Sequence, residues 1–209
     1  MQISDQSLVK FEHDKGNWVP SPPPPDKMNV DLEKFGDKKI VFLIRDPRDV
    51  LVSSWYHLKY RENIYQKDLS SFIREPLTGI DKVIRFFNQW IAQKDHFKNF
   101  IYLAYEDFHK DPYKTFYQLF DFMGLEINED HLKKAVEGGD FNAMKKMESS
   151  GNLKEPWMKP GQKNIKHSMK IRKGKTGSYK QEMNTKDIEY VNKRMQKQLH
   201  PLLKKHYLE

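Results

Sequence analysis

The sequence predicts an α/β fold built on a parallel sheet, in a single domain spanning residues 1–209. Three observations predict it. Two short runs rich in β-branched and aromatic residues, Lys39–Ile44 and Asn99–Tyr105, read as buried strands. Each is followed by an Asp-Pro helix start, Asp46-Pro47 and Asp111-Pro112. Between them lies a long stretch whose apolar residues recur at helical spacing. Strands that alternate with helices are joined by crossovers, and crossovers bring parallel strands together.

In chain order, Ser7–His13 alternates Leu8, Lys10 and Glu12 with Val9, Phe11 and His13, which predicts a short first strand. Pro20-Ser21-Pro22-Pro23-Pro24-Pro25 is a stiff polyproline II spacer that cannot join a helix or sheet interior. After the Lys39–Ile44 strand, Asp46 caps a helix that runs to about Arg61. Asp68-Leu69-Ser70 is a second helix start. Ile80, Val83, Ile84, Phe87, Trp90 and Ile91 mark a long amphipathic helix. The helix opened by Asp111-Pro112 carries Phe116, Leu119, Phe120 and Met123 as its stripe, and Gly124 ends it. Asn128–Glu137 is a short helix. Residues 154–179 show little periodicity and read as a loop. Ile188, Val191, Met195, Leu199 and Leu202 predict one terminal helix capped by Thr185.

Composition narrows the chemistry. The 209 residues contain no cysteine, which excludes a disulfide framework, a thiol nucleophile and cysteine-ligated metal. The eight histidines show no metal-ligand spacing, so no metal is expected. The longest apolar run, Ile40–Ile44, falls far short of the roughly 20 residues a membrane helix needs, so no membrane partner is expected. The first twenty residues lack an apolar segment of the kind a secretory signal carries, so no secretory signal is expected, and the absence of cysteine fits a reducing, cytoplasmic-type setting. The formal charge is +8, and it is local: residues 154–180 hold nine basic side chains and one acid. A local excess implies an anionic partner at one place, or a solvated basic loop.

Two segments suit an anion. In Val41–Ser54 a strand gives way to a helix within three residues, and ligands of open α/β sheets bind at the carboxyl ends of strands. The helix start offers free N–H groups. Arg45 stands at the junction with a planar guanidinium suited to phosphate or sulfate, and Ser53 follows two turns later. Alternatively, Arg45 pairs with Asp46 or Asp49 and the Asp-Pro is only a cap. The second segment is Arg172-Lys173-Gly174-Lys175-Thr176-Gly177. It is not a nucleotide triphosphatase loop, because Met169 stands where that pattern needs its first glycine and no strand precedes it. It remains a basic loop whose glycines let the backbone approach an anion.

These residues together resemble the sulfotransferase superfamily, whose members use 3′-phosphoadenosine 5′-phosphosulfate (PAPS). "VFLIRDPRDVLVSSWYH" resembles its 3′-phosphate-binding signature and "IRKGKTGSYK" its Arg-Lys-Gly-x-x-Gly loop. "LAYEDFHKDPYKTFYQLFDFMGL" is similar to its Tyr-Glu-Asp segment, and "DFNAMKKM" to the segment with an adenine-contacting aromatic. The resemblance implies a P-loop-like core with flanking helices and transfer of a sulfuryl group from PAPS to a hydroxyl or amine, leaving 3′-phosphoadenosine 5′-phosphate (PAP). It implies that Arg45 and Ser53 hold the 3′-phosphate, that Arg172, Lys173 and Gly174 close over it, and that Tyr105 and Phe141 contact adenine. For the last two, core packing is the alternative. His13 is the positional match for the catalytic base.

The family also opens with a strand and a Pro-x-Ser-Gly-Thr turn that grips the 5′-phosphosulfate, and the sequence contains no Ser-Gly-Thr. Three explanations are open: a fragment, a degenerate member, or a partner chain that supplies the loop. Two other functions follow: a relative that binds the nucleotide without turnover, or, ranked last, a nucleic-acid binder using the basic loop. The acceptor is expected to be a small molecule or glycan, with Trp18, Trp55, Tyr60 and Trp157 as a possible aromatic rim. The family's dimer motif is not matched cleanly near Lys180–Glu189, so oligomeric state is open.

Overall fold

Lys39–Ile44 forms β1 and Asn99–Ala104 forms β2. They pair in parallel, with Ile40 opposite Phe100 and Ile44 opposite Ala104. The computed structural model describes residues 32–150, 167–169 and 171–208. The expected Ser7–His13 strand, the polyproline spacer, Trp18 and Trp157 lie outside the described residues.

A short helix, α1 (Leu32–Phe35), precedes β1. The crossover from β1 to β2 contains α2 (Pro47–Tyr56), a π-helical turn (His57–Arg61), α3 (Leu69–Arg74) and α4 (Ile80–Ala92). Each start signal works as chemistry predicts. The Asp46 carboxylate accepts the Arg48 N–H at 2.9 Å, and the Asp68 carboxylate accepts the Ser71 N–H at 2.7 Å. Ile80, Val83, Ile84, Phe87 and Ile91 of α4 are buried as the spacing requires. They meet Leu51 and Val52 of α2 and Phe42 of β1 in one core, where Phe42 stacks on Trp90 at 5.6 Å between ring centroids. At roughly 1.5–3 kcal/mol per fully buried apolar side chain, this cluster is the main source of stability for the crossover.

The strand expectation needs one correction. Ile40, Phe42 and Ile44 are buried, but Val41 and Leu43 on the opposite face are 39% and 55% exposed. Successive side chains of a strand point to opposite faces, and the described helices bury only one face of β1 completely.

After β2 come α5 (Tyr105–Lys110), α6 (Pro112–Met123), α7 (Glu129–Gly138) and α8 (Phe141–Ser150). Tyr105 is therefore the first residue of a helix rather than the end of a strand. Gly124 ends α6 with φ of 71°, a left-handed conformation that suits glycine. Helix α8, unexpected from the sequence, is started by the Asp140 carboxylate, which accepts the N–H groups of Asn142 and Ala143 at 2.9 and 3.1 Å.

Residues 171–178 are irregular, as expected, and lead into α9 (Tyr179–Glu182), α10 (Thr185–Gln198) and α11 (Pro201–Tyr207). The terminal helix is thus two helices. Pro201 cannot donate to the preceding turn, so the chain breaks at Leu199–His200 and restarts with proline in its first turn. The N-cap is also one residue earlier than expected. Asn184 Oδ1 accepts the Asp187 N–H at 2.9 Å, and Thr185 is already helical.

Candidate functional site

The carboxyl end of β1 is buried at Ile44, and the next residue, Arg45, turns into a cleft. Ser53, Tyr105, Arg172, Lys173 and Gly174 line the same cleft. Six of the eight residues singled out from sequence therefore share one concavity, although Arg45 and Arg172 are far apart in the chain. Phe141 stands beside it against Gly174. A methyl group added at Gly174 would lie 2.1 Å from the Phe141 ring, and the Gly174 φ of 57° is itself a glycine conformation. His13 lies outside the described residues.

Competition among acids leaves Arg45 with a donor to spare among the described residues. Asp46 is engaged by Arg48, which donates from Nε and Nη2 to its two carboxylate oxygens at 2.8 and 2.7 Å. Asp49 approaches Arg45 Nη2 only to 3.7 Å. Its two oxygens instead accept the Gly177 N–H at 2.7 Å, the Ser178 hydroxyl at 2.9 Å and the Tyr179 N–H at 2.9 Å. Among the described residues, Arg45 makes a hydrogen bond from Nη2 to the Lys175 carbonyl at 3.2 Å and a stacking contact 4.3 Å from the Tyr105 ring centroid. Its Nε is buried and has no hydrogen-bond partner among the described residues. A buried N–H of this kind is costly unless an acceptor arrives. An anionic oxygen is the acceptor that a guanidinium favours most.

Asp49 is the functional residue that sequence reasoning undervalued. It was visible only as a possible partner of Arg45 four residues away. Its actual role is to pin the second basic segment against the start of α2, and so to hold the two cationic patches together. Glu148 on α8 acts similarly, accepting the Ile171 N–H at 2.8 Å just before Arg172.

The cations of the loop are held from behind. Arg172 Nη1 and Lys173 Nζ both donate to Glu182 Oε1, at 3.0 and 2.6 Å. Tyr56 donates its hydroxyl to Glu182 Oε2 at 3.0 Å, and the Arg172 guanidinium lies 3.8 Å from the Tyr56 ring centroid. Burial and then the Glu182 carboxylate push the Tyr56 phenol up to about 12. Burial works against ionisation of Glu182, but the hydrogen bonds from Lys173, Tyr56 and Arg172 outweigh it and hold its carboxyl below the ordinary range. Burial raises the Tyr105 phenol, against the pull of Arg45. Trp55 and Tyr60 of the expected rim pack together with centroids 5.7 Å apart, and Tyr60 lies 5.2 Å from His167. Among the described residues no helix is long and apolar enough to cross a membrane.

A parallel α/β unit with a cationic cleft at the carboxyl end of its first described strand is the arrangement of the P-loop-like fold class, and such a cleft is suited to an anion. The chain belongs to the sulfotransferase family: the family model described as "Sulfotransferase domain" matches residues 27–202. Sulfotransferase 2A6 of Mus musculus is 30% identical over 163 residues, covering 74% of this chain and 54% of that protein. Sulfotransferase 2A1 of Homo sapiens is 25% identical over 167 residues, covering 77% of this chain and 56% of that protein. The chain thus spans about half the length of the curated relatives it matches. Among solved structures, a retinol dehydratase in complex with androsterone and inactive cofactor PAP superposes with a TM-score of 0.61 at 24% identity, over 88% of this chain and 56% of that one. Mouse sulfotransferase SULT7A1 complexed with PAP gives 0.58 at 19% identity, over 77% and 60%. These likenesses bear out the α/β sulfotransferase fold.

Proposed function

We propose that the cleft holds the 3′-phosphoadenosine end of PAPS or PAP, and that the protein is a sulfotransferase acting on a hydroxyl or amine of a small-molecule or glycan acceptor. The observation that carries this reading is the shared cleft of Arg45, Ser53, Arg172, Lys173 and Gly174. The donor set fits the ligand. Arg45 Nε lacks an acceptor among the described residues, Ser53 is exposed, and Gly174 brings backbone close to Phe141 where a larger residue would not fit. PAP in the two structural relatives named above supports the same choice of nucleotide.

In this reading Arg45 and Ser53 bind the 3′-phosphate from the α2 side. Arg172, Lys173 and the Gly174 backbone bind it from the loop side. Tyr105 and Phe141 border the base. Bound PAPS supplies the sulfuryl group. The chain's residues fix the nucleotide in place, and such positioning is a large part of catalysis for group transfer between oxygens. His13 is the candidate to take the acceptor's proton.

Calorimetric titration with PAP tests the reading. Wild-type protein is expected to bind PAP more tightly than adenosine 5′-phosphate. Arg45→Ala and Arg172→Ala are each expected to weaken PAP at least about tenfold, the size of losing one charge-assisted contact. Unchanged affinity in both variants would overturn it. Transfer from labelled PAPS to a panel of hydroxyl and amine acceptors separates an enzyme from a protein that only binds the nucleotide.

A further inference from the structure

Glu182 has no place in the roles above, yet it holds both loop cations. A single oxygen, Oε1, accepts from Arg172 and from Lys173, while Oε2 accepts from Tyr56. Arg172 and Lys173 line the cleft and Glu182 does not, so the carboxylate grips them from the side away from the ligand space. Its side chain is 16% exposed and that of Arg172 is 15%, so solvent screens that contact only weakly, while the contact to Lys173, 37% exposed, is screened more.

Resting on the nucleotide reading, we propose that Glu182 is a resident competitor for the 3′-phosphate: its carboxylate neutralises Arg172 and Lys173 and thereby sets how tightly the loop grips a 3′-phosphorylated nucleotide. The physical case is charge balance. Two cations with one part-buried carboxylate present a net charge of one to the cleft, whereas two unpaired cations would present two. The carboxylate and the phosphate also draw on the charge of the same two cations, so what one neutralises is less available to the other. Tyr56 fixes the competitor in place, because its hydroxyl holds the oxygen that the cations leave free. Glu182 is thus a positioning residue that acts through Arg172 and Lys173, and the affinity of the site is lower than its cations alone would allow. A moderated grip favours release of the spent nucleotide, and product release limits turnover in many enzymes.

The test compares PAP with adenosine 5′-phosphate, which lacks the 3′-phosphate, by calorimetry on the full chain. Glu182→Gln keeps the size and one acceptor but removes the charge. It is expected to tighten PAP about fivefold or more, given the Coulomb energy of one charge a few ångströms away at a partly buried site. Affinity for adenosine 5′-phosphate is expected to stay within about twofold, as that ligand has no group at the competed position. Tyr56→Phe keeps the carboxylate's charge but frees its second oxygen, and is expected to tighten PAP by a clearly smaller factor than Glu182→Gln. Should Glu182→Gln not fold, Glu182→Asp draws the charge back by one methylene and is expected to tighten PAP by a smaller factor. A 3′-phosphate preference that Glu182→Gln leaves unchanged or weakens overturns the proposal alone, as does equal tightening in Tyr56→Phe. No 3′-phosphate preference in the wild-type protein overturns the nucleotide reading, and the proposal with it.

Discussion

The carboxylate of Asp49 accepts the backbone N–H of Gly177 at 2.7 Å, a contact between residues 128 apart in sequence. It joins the first turn of α2 to the loop that carries Arg172 and Lys173. Asp49 is 1% exposed, so the bonds to Gly177, Ser178 and Tyr179 form away from water. Bonds to a buried carboxylate are strong, and they are expensive to lose because the donors cannot turn to solvent.

Asp49→Ala strands those donors. The expected loss is about 2–4 kcal/mol in urea unfolding, the scale for leaving buried groups unsatisfied. PAP binding is expected to weaken as well, because Arg172 and Lys173 lose their anchor. Asp49→Asn, which retains one acceptor, is expected to lose less of both.

Arg48 stitches the chain's end to the site. Besides its two bonds to Asp46, it donates to Asn192 Oδ1 and to the Tyr207 carbonyl, both at 3.0 Å. Arg48→Ala is expected to cost about 3–5 kcal/mol, the scale for breaking a buried ion pair. Arg48→Lys keeps the charge and loses the planar fork, so most of that loss is expected to remain in denaturant midpoints.

Gly174→Ala meets two obstacles, a left-handed backbone and the Phe141 ring. The backbone contributes roughly 1–2 kcal/mol of the penalty. The contact contributes roughly 1–3 kcal/mol more. Adding Phe141→Ala is expected to restore only the contact share, seen as a favourable coupling in a double-mutant cycle.

The Tyr56–Glu182 pair makes a pH prediction at both ends. Tyr56 titrates at about 12 in the folded chain against an ordinary 10.0, so the stability it contributes is complete below pH 10 and lost as pH rises towards 12. Tyr65, also raised to about 12, adds to the same loss. Glu182 is shifted the other way, so its contribution holds above the ordinary carboxylate range and is lost as pH falls through its lowered folded value. Thermal melts from neutral pH to pH 12 are expected to drop steeply above pH 10, less so in Tyr56→Phe/Tyr65→Phe. Glu182→Gln is expected to flatten the acid limb.

Local chemistry made the outline of the fold legible. The β-branched runs marked both strands, Asp46, Asp68 and Asp111 marked helix starts, and Gly124 marked a stop, because caps and period act within a few residues. The break at Pro201 was missed: a proline inside a helix breaks it, but the apolar spacing of Leu199 and Leu202 ran straight across the break. Helices α5 and α8 are different. α5 is six residues long with no side-chain cap, and α8 is polar with only Glu148 buried, so neither shows the apolar stripe that marks a helix in sequence, although Asp140 caps α8. For the site, the motifs around Arg45 and Arg172 identified the cations but could not say whether they were free. That was decided by what each acid meets in three dimensions: Asp46 meets Arg48, Asp49 meets the Gly177 and Tyr179 N–H groups and the Ser178 hydroxyl, and Glu182 meets Arg172 and Lys173 together. A sequence states which charges are present, whereas pairing between them depends on distance and burial, and only the folded chain sets those.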